Sequence, residues 1–237
     1  MIDFHCHVLP RMDDGSKSTE ESLAMLRRSA AQGVTTAVAT SHYYAERETV
    51  SDFLTRRDAA ASALREAMAG CDELPALRLG AETAWFPGIS TAPDVERLCL
   101  EGTRVLLLEM PFSPWTKRIF KELEGLTAVR GLTVVIAHIE RYAGAGNDWK
   151  TVRELLDCDV LIQANAEFFL GTWSRVRALR MLRAGEIQLL GSDSHNLTSR
   201  PPNLGQAARV IERKCGKELL LEMERFSERL LKQKITV

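Results

Sequence analysis

The chain has 237 residues, of which 45% are hydrophobic and 27% are charged, and its formal net charge is −1. This composition is typical of a globular protein, and the near-neutral charge lacks the basic footprint of a protein that binds nucleic acid or an anionic membrane. Its apolar runs stay below the ~18 residues that a membrane span needs, and the start lacks a signal-peptide pattern. We therefore expect a cytoplasmic protein that does not insert into a membrane.

The cysteines exclude one class of chemistry. There are five of them, scattered along the chain without a C-x-x-C pair, as expected of reduced thiols in a cytosolic protein: Cys6, Cys71, Cys99, Cys158 and Cys215. None is followed by arginine at the spacing C-x5-R. The phosphate-binding loop of the cysteine-dependent phosphatases is therefore absent from the sequence.

The predicted elements alternate between strands and helices. Ser18-Thr19-Glu20-Glu21 is a capping box that starts a helix, and Gly33 suits the end of that helix. In chain order the prediction is strand 2–4, helix 18–32, strand 34–40, helix 50–69, strand 78–82, helix 94–100, strand 105–108, helix 115–129, strand 132–137, helix 149–156, strand 160–164, helix 174–184, strand 187–190, and helices 203–214 and 217–232. Strict alternation implies parallel strands.

The whole chain, residues 1–237, is predicted to form one α/β domain. Seven parallel strands that close on themselves would give a distorted (βα)7 relative of the TIM barrel. An open, doubly wound sheet is the alternative topology. In both, the carboxyl ends of the strands lie on the face where active sites are usually built.

Residues that can bind a metal ion follow six of the seven predicted strands. They include all five histidines of the chain, and they are His5, His7, His42, Glu82, Glu109, His138, Asp193 and His195. Because the carboxyl ends of parallel strands meet at one face, we expect these side chains to converge. Scattered surface histidines would rarely show this pattern.

The spacing of the first and last pairs supports a shared site. His5 and His7 are two apart in extended chain, so both side chains leave on one side and Cys6 faces the other. Asp193 and His195 have the same spacing, and Asp14 on the loop after His7 can add an oxygen ligand. An H-x-H pair alone is weak evidence, since two surface histidines would look the same. Asp3 and Asp13 are expected to be structural, and Cys6 to be packed.

The carboxylates have alternatives that the sequence leaves open. Glu82 and Glu109 could form ion pairs with Arg78 or Arg104 at the rim. Glu109 directly follows three leucines, however, and an unpaired charge so close to the core costs several kcal/mol, which a metal ion would offset. One ion cannot use the whole donor set, so two or three divalent ions are expected. Mixed nitrogen and oxygen ligands suit Mn, Fe or Zn, with Mg as a further option.

Two arginines lie on loops of the same predicted face. Arg141 comes three residues after His138, and Arg200 comes five residues after His195. A guanidinium group binds phosphate oxygens in a bidentate manner, so both are candidate phosphate-binding residues. The alternative for each is an ordinary loop salt bridge.

Taken together, these motifs resemble a known family. They run along nearly the whole chain: Met1-Ile2-Asp3-Phe4-His5-Cys6-His7, Asp13-Asp14-Gly15, Ala39-Thr40-Ser41-His42, Gly80-Ala81-Glu82, Leu108-Glu109-Met110-Pro111, Ala137-His138-Ile139-Glu140-Arg141-Tyr142 and Gly191-Ser192-Asp193-Ser194-His195-Asn196. The pattern is similar to that of the PHP (polymerase and histidinol phosphatase) superfamily. It most resembles the manganese-dependent bacterial tyrosine phosphatases of capsule and exopolysaccharide biosynthesis.

The resemblance implies a seven-stranded βα barrel, three metal ions and a role for each ligand. The first ion would bind His5, His7, Glu82 and Asp193; the second would bind Asp14, His42 and His195; and the third would bind Glu109 and His138, with Glu82 bridging. It also implies catalytic roles for Arg141, Arg200, His42 and Asp14. The chain departs from the family pattern at Ser41, Tyr43 and Ile139, beside these ligands.

The implied activity is metal-dependent hydrolysis of a phosphate monoester by in-line attack of an activated water. The expected substrate is a phosphotyrosine protein, namely the tail of a bacterial tyrosine kinase that controls polysaccharide export. The alternatives are a histidinol-phosphate or other small-molecule phosphatase, and a non-catalytic PHP regulatory module. Aromatic residues after strand ends weakly favour a protein substrate: Tyr43, Tyr44, Phe86, Phe168, Phe169 and Trp173. A homo-oligomer, if one forms, is expected to use helix 18–32.

Overall fold

The computed structural model describes residues 1–232, in which nine strands form two sheets. The strands are β1 (Ile2–Cys6), β2 (Thr36–Ala39), β3 (His42–Tyr43), β4 (Ala76–Leu79), β5 (Glu82–Ala84), β6 (Val105–Glu109), β7 (Thr133–Ile136), β8 (Leu161–Asn165) and β9 (Leu189–Gly191). One sheet has the order β1-β2-β4 and the other has the order β3-β5-β6-β7-β8-β9. Every pairing between these strands is parallel, as the alternation of elements predicted.

The two sheets adjoin each other at both ends. β3 follows β2 after a two-residue break, and β5 follows β4 after Gly80 and Ala81. On the other side, the amide of Asp193 donates to His5 O at 2.7 Å and the amide of His7 donates to Ser194 O at 2.9 Å. The result is an α/β fold around a curled parallel sheet.

The helices lie between the strands in sequence. They are α1 (Thr19–Ala30), α2 (Val50–Met68), α3 (Lys117–Glu124), α4 (Trp149–Arg153), α5 (Ala166–Leu170), α6 (Ser174–Arg183), α7 (Leu204–Cys215) and α8 (Lys217–Lys232). Ser18 caps α1, where its hydroxyl accepts from the amide of Glu21 at 3.2 Å. Gly33 follows α1 with φ +88°, the left-handed conformation that glycine adopts at helix ends. None of these helices within residues 1–232 has the length and apolar character needed to cross a membrane.

Some predicted helices are shorter or different in kind. The helix predicted at 94–100 is wrong: only a 3-10 turn forms at Val95–Leu98. Asp94 has φ +62° and lies outside the helix, and at Cys99 the chain is extended again with ψ 157°, so only one helical turn forms between them. The helix predicted at 115–129 is α3 followed by a π-helical segment, Gly125–Val129, and the one predicted at 149–156 is α4 followed by a 3-10 turn, Glu154–Asp157. The sequence did not predict β3 or α5.

Side chains alternate between the two faces of each strand, and they form two apolar clusters: an inner cluster inside the curled sheet and an outer cluster between the sheet and the helices. In β6, Val105 and Leu107 pack in the inner cluster with Phe4, whereas Leu106 and Leu108 pack in the outer cluster beneath the helices. Leu230 and Leu231 of α8 also join the inner cluster. Because side chains alternate with a period of two, Glu109 lies on the same side of β6 as Leu107. The carboxyl end of the sheet is therefore the polar end of the interior.

Candidate metal centre

The structure brings all nine predicted metal-binding residues together at the carboxyl ends of the strands. Most of their side chains are buried: His5, His7, Glu82, Glu109, His138, Asp193 and His195. His42 is 14% exposed, and Asp14 on the loop after β1 is 64% exposed. The set is therefore a largely buried pocket of nitrogen and oxygen donors with its opening on the Asp14 side.

Glu82 lies at the centre of the cluster. Its Oε2 lies 3.2 Å from His5 Nε2 and 3.3 Å from His7 Nε2. The same oxygen is 2.9 Å from His42 Nδ1, and Glu82 Oε1 is 2.7 Å from His138 Nε2. A carboxylate that contacts four imidazoles in this way has the position expected of a ligand shared between neighbouring cations.

The donor atoms form three overlapping groups, each with its atoms within 4.8 Å of one another. These groups are His7, Asp14, His42 and His195; His5, His7 and Asp193; and His42, Glu82 and Glu109. His138 Nε2 also lies 3.4 Å from Glu109 Oε1. The groups match the three ligand sets that the family resemblance implies only in part: His7 and His42 each belong to two groups, Glu82 is absent from the group of His5, and His138 is in none of them.

The arrangement fits cations better than hydrogen bonds. His5 Nε2 and His7 Nε2 face each other at 3.1 Å. Within residues 1–232, the buried atoms His42 Nδ1, Glu82 Oε2 and His195 Nε2 make no hydrogen bond, although His42 Nδ1 and Glu82 Oε2 lie only 2.9 Å apart. Buried polar atoms without partners are costly, and acceptor atoms that face one another repel unless a positive charge lies between them. Imidazole nitrogens with carboxylate oxygens are the donor set of Mn, Fe and Zn sites.

The charges of the cluster are strongly coupled. Burial alone would raise the pKa of Glu82, but the charge of His5 and the hydrogen bond from His138 hold it well below its usual value. Burial would lower the pKa of His138, yet Glu109 and Glu82 together raise it to about 9. Burial and the nearby charge of His7 lower the pKa of His195 to about 4. Burial would likewise raise the pKa of Asp193, but the charges of His5 and His7 hold it well below its usual value, so both buried carboxylates are ionised and require positive charge beside them, which protons or cations can supply.

Two of the candidate ligands have unusual backbone conformations. His138 has φ +30° and Asp193 has φ +51°, in the region that residues other than glycine rarely adopt. Such strain occurs at sites whose surroundings hold it in place, and it is typical of functional positions. Here each residue lies two positions after the end of a strand, β7 or β9, so the turn aims its side chain toward the cluster.

The sequence suggested a structural role for Asp13, and the structure shows that its carboxylate contacts two of the candidate ligands. Its Oδ2 lies 2.8 Å from His7 Nδ1 and accepts from the amide of His42 at 2.9 Å. A carboxylate on one imidazole nitrogen orients the ring and leaves the other nitrogen free for a metal. Asp13 thus positions two candidate ligands, and its place directly before Asp14-Gly15 was the signal in the sequence.

Strand β8 supplies a second set of supporting contacts that sequence reasoning missed. Gln163 Oε1 accepts from the amide of His138 at 2.8 Å and lies 3.2 Å from His5 Nδ1. Gln163 also donates to Asn165 Oδ1, and Asn165 Nδ2 donates to Asp193 Oδ2 at 2.9 Å. The signal in the sequence was the pair Gln163 and Asn165, two polar residues two positions apart at the end of predicted strand 160–164. This is the one predicted strand that is not followed by a metal-capable residue.

Both predicted arginines lie at the mouth of the pocket. Arg141 donates to Asp193 Oδ2, and Arg200 Nη2 lies 2.9 Å from both oxygens of the same carboxylate. Arg200 Nη1 is also 3.6 Å from Asp14 Oδ2. About a third of each side chain is exposed, so donor groups remain accessible to an anion.

Two of the three residues that depart from the family pattern, Tyr43 and Ile139, pack in the apolar core. Tyr43 is buried edge-on against Phe53, with ring centroids 5.4 Å apart, and Ile139 is fully buried in the outer cluster. Ser41 is buried, and its hydroxyl has no hydrogen-bond partner among the described residues. These substitutions therefore change packing beside the ligands rather than the donor set.

The aromatic residues near the mouth divide into two groups. Among those noted in the sequence, Tyr43, Phe168 and Phe169 are buried and serve packing, whereas Trp173 is 92% exposed. Tyr44 stacks on His42 with ring centroids 5.4 Å apart. Phe112, which the sequence reasoning missed, is half-exposed and stacks on His138 at 6.0 Å.

Fold and site together define a class: α/β proteins with a curled parallel sheet and a candidate multinuclear metal centre at its carboxyl edge. The family model described as capsular polysaccharide synthesis, CpsB/CapC, matches residues 1–230. The chain belongs to this family.

Named relatives agree with this assignment. Tyrosine-protein phosphatase CpsB of Streptococcus pneumoniae is 34% identical, with 95% of this chain and 97% of that protein covered. Tyrosine-protein phosphatase YwqE of Bacillus subtilis is 28% identical, with 98% and 92% covered.

Solved structures show the same fold. A chain from the crystal structures of YwqE from Bacillus subtilis and CpsB from Streptococcus pneumoniae, described as unique metal-dependent tyrosine phosphatases, aligns with a TM-score of 0.86 and 26% identity over 100% of this chain and 96% of that one. The phosphotriesterase homology protein from Escherichia coli shares the fold more distantly, with a TM-score of 0.51, 13% identity and 93% of both chains covered.

Proposed function

We propose that the protein is a metal-dependent protein-tyrosine phosphatase of capsule or exopolysaccharide biosynthesis. The observation that carries the proposal is the convergence of nine nitrogen and oxygen donors, with two arginines, at one accessible mouth. Relatives that match nearly the whole chain are named tyrosine-protein phosphatases. Its substrate is a phosphotyrosine protein, namely the tail of a bacterial tyrosine kinase. Because that tail is phosphorylated from ATP, the reaction belongs in the cytoplasm.

The proposed centre holds two or three divalent cations, manganese foremost, with Fe, Zn or Mg as alternatives. His5, His7, Glu82 and Asp193 would hold the first; Asp14, His42 and His195 would hold the second; and Glu109 and His138, together with Glu82, would hold the third. Such cations, when bound, lower the pKa of an attacking water and stabilise the attacking and leaving oxygens.

The side chains of the mouth bind and orient the substrate. Arg141 and Arg200 donate to the equatorial oxygens of the phosphate, exchanging part of their contact with Asp193 for the anion. Asp14 and His42 lie at the open side of the cluster, where the attacking water enters. The leaving phenolate needs little help from an acid, because the pKa of tyrosine is near ~10.

A cysteine nucleophile has no support in the described residues. Cys6 lies beside the cluster, but its Sγ donates to Val38 O at 3.3 Å, away from the donors. Burial raises the pKa of the Cys6 thiol well above its usual value, and burial raises that of Cys99 to about 12. Catalytic thiols have lowered pKa values instead.

The architecture belongs to the same proposal. We propose that residues 1–237 form one domain, and that the two parallel sheets act as one distorted seven-stranded (βα)7 barrel, with β2–β3 and β4–β5 each counting as one interrupted strand. The contacts of His5 and His7 with the chain after β9 support closure. A closed barrel would then hold the donors at the ends of rigid strands.

The test is hydrolysis of a phosphotyrosine peptide and of histidinol phosphate, before and after chelation with EDTA and re-addition of Mn²⁺. We expect activity on the peptide to disappear in EDTA and to return with Mn²⁺, and turnover of the peptide to exceed that of histidinol phosphate. Full activity in EDTA would refute the metal requirement. Preference for histidinol phosphate would identify a small-molecule phosphatase, and no hydrolysis of either ester would favour a regulatory module.

A further inference from the structure

A cleft of about 650 Å³ adjoins the proposed catalytic mouth. Arg141 and Asn165 line its inner end, and both contact Asp193. From there the cleft extends outward along α6. Its volume is in the range of clefts that bind ligands, and its inner end is shared with the site described above.

The outer part of the cleft has an aromatic wall that is open to solvent. Trp149 stacks on Phe168 with nearly parallel rings, 6.4 Å between centroids, and the Arg177 guanidinium lies 4.3 Å over the Trp149 ring. Trp173 is 92% exposed and Val176 is 74% exposed. Aromatic and arginine side chains in this combination are enriched where proteins bind other polypeptides.

The charged side chains of the cleft indicate which kind of ligand it can bind. Arg177 and Arg180, three residues apart on α6, both line the cleft, and neither forms an ion pair within residues 1–232. The acidic residues of the lining are Glu140 and Glu167, and the carboxylate of Glu140 lies 3.4 Å from the amide of Asn165 at the inner end. Apart from Arg141 and Glu140, the lining therefore presents the two guanidinium groups of Arg177 and Arg180 against the single carboxylate of Glu167, and carboxylates of a ligand can pair with the guanidinium groups.

We propose that this cleft binds an acidic peptide segment that flanks the phosphotyrosine of the substrate protein. The inference rests on the proposed phosphatase function and adds the recognition of the substrate chain. With the phosphate at Arg141, the flanking chain enters the cleft, where Arg177 and Arg180 pair with its carboxylates and Trp173 covers its apolar parts. A small phosphate ester does not reach these residues, so the cleft favours protein substrates over metabolites.

The experiment compares kcat/KM of the full-length, Mn²⁺-loaded protein on three substrates: a phosphotyrosine peptide with acidic flanks, a peptide of equal length with neutral flanks, and free phosphotyrosine. We expect the acidic peptide to be preferred over the neutral one by roughly tenfold. In the Arg177→Glu/Arg180→Glu double variant, the ratio of acidic peptide to free phosphotyrosine should fall by roughly tenfold or more. Trp173→Ala, at an exposed position, should lower the same ratio through KM.

The matched control is Arg183→Glu. This arginine is exposed on the same helix, lies outside the cleft, and donates to Lys214 O. One charge reversal there changes the long-range field much as a reversal at Arg180 does, so it should leave the preference for the acidic peptide in place. The single variant Arg180→Glu should reduce that preference.

Three results would overturn the inference. Equal kcat/KM for both peptides would show that the flank is not recognised, and equal effects of Arg180→Glu and Arg183→Glu would show only long-range electrostatics. If sedimentation shows that the wild type is a dimer that dissociates in the double variant, while kinetic measurements show unchanged selectivity, the cleft is an interface between copies of the chain. Failure to hydrolyse even free phosphotyrosine would refute the proposed function instead, and with it this extension.

Discussion

At the scale of single residues, the candidate ligands are held by neighbours that do not bind metal themselves. His7 is oriented by Asp13, and His5 and the backbone of His138 are oriented by Gln163. Each contact uses one polar atom of the neighbour and leaves the metal-facing nitrogen free. The geometry of the cluster therefore depends on residues beyond the donors.

Replacing Asp13 by asparagine should weaken Mn²⁺ binding by about 10- to 100-fold while the protein stays folded. The amide keeps the size of the side chain but removes the charge that faces His7 Nδ1 at 2.8 Å. Isothermal titration calorimetry with Mn²⁺ measures the change.

Asp58→Asn is the control. Asp58 is an exposed carboxylate that pairs with Arg57, and it is not one of the candidate ligands. Its Mn²⁺ affinity should equal that of the wild type. An unchanged affinity in the Asp13 variant would mean that this carboxylate serves the loop rather than His7.

The thiols allow a second prediction at this scale. Burial raises the pKa of Cys99 to about 12 and that of Cys6 well above its usual value, so at pH 8 both remain neutral thiols in the folded protein. Since the thiolate is the reactive form, iodoacetamide should modify neither residue without denaturant, and the treated, metal-loaded protein should keep its phosphatase activity. Peptide mass spectrometry with a parallel assay checks this. Modification of Cys6 or Cys99 in the folded protein would contradict the raised pKa values and the burial of these thiols.

At the scale of elements, close packing between β1 and β9 brings the first and last donors together. A Cβ atom built at Gly191 would lie 2.5 Å from His5 Cβ and 3.1 Å from His5 N. Only a residue without a side chain permits this approach. The juxtaposition of His5 and Asp193, 188 positions later in the chain, therefore depends on a glycine.

The Gly191→Ala substitution should push β9 away from β1. We expect a loss of about 1–3 kcal/mol in the free energy of unfolding, together with a weaker affinity for Mn²⁺. Urea denaturation and Mn²⁺ titration measure the two effects. Gly125→Ala is the matched control: its Cβ would lie 2.6 Å from Ser90 Cβ, outside the cluster, so stability should fall without a change in affinity. Equal Mn²⁺ affinity in both variants would show that the two strands adapt independently.

Elements also show what the sequence could and could not predict. The positions of Glu109 and His138 were predictable. Each follows an apolar run that can be recognised as a strand in the sequence, and the carboxyl ends of parallel strands lie on one face. Asp13 and Gln163 were not, since their contacts depend on how distant segments approach. The helix predicted at 94–100 was wrong because the chain becomes extended again at Cys99, where ψ is 157°, and apolar periodicity does not reveal this.

At the scale of the whole molecule, the curled sheet has two chemically different ends. Toward one end, Phe4, Leu107, Leu230 and other apolar side chains fill the interior. At the carboxyl end, histidines and carboxylates from most of the strands occupy the same central space, with arginines at its rim. Burying so many charged groups is costly unless cations compensate them, so the stability of this end and its chemistry are linked.

The most direct test of the central claim is the metal content of the protein after equilibrium dialysis against Mn²⁺, measured by elemental analysis. We expect two or three Mn²⁺ ions per wild-type chain, and fewer in the folded His138→Ala and Asp193→Asn variants. Less than one ion per chain in the wild type, or a wild-type content of Mn²⁺ in both variants, would contradict the claim that these distant side chains form one shared metal centre.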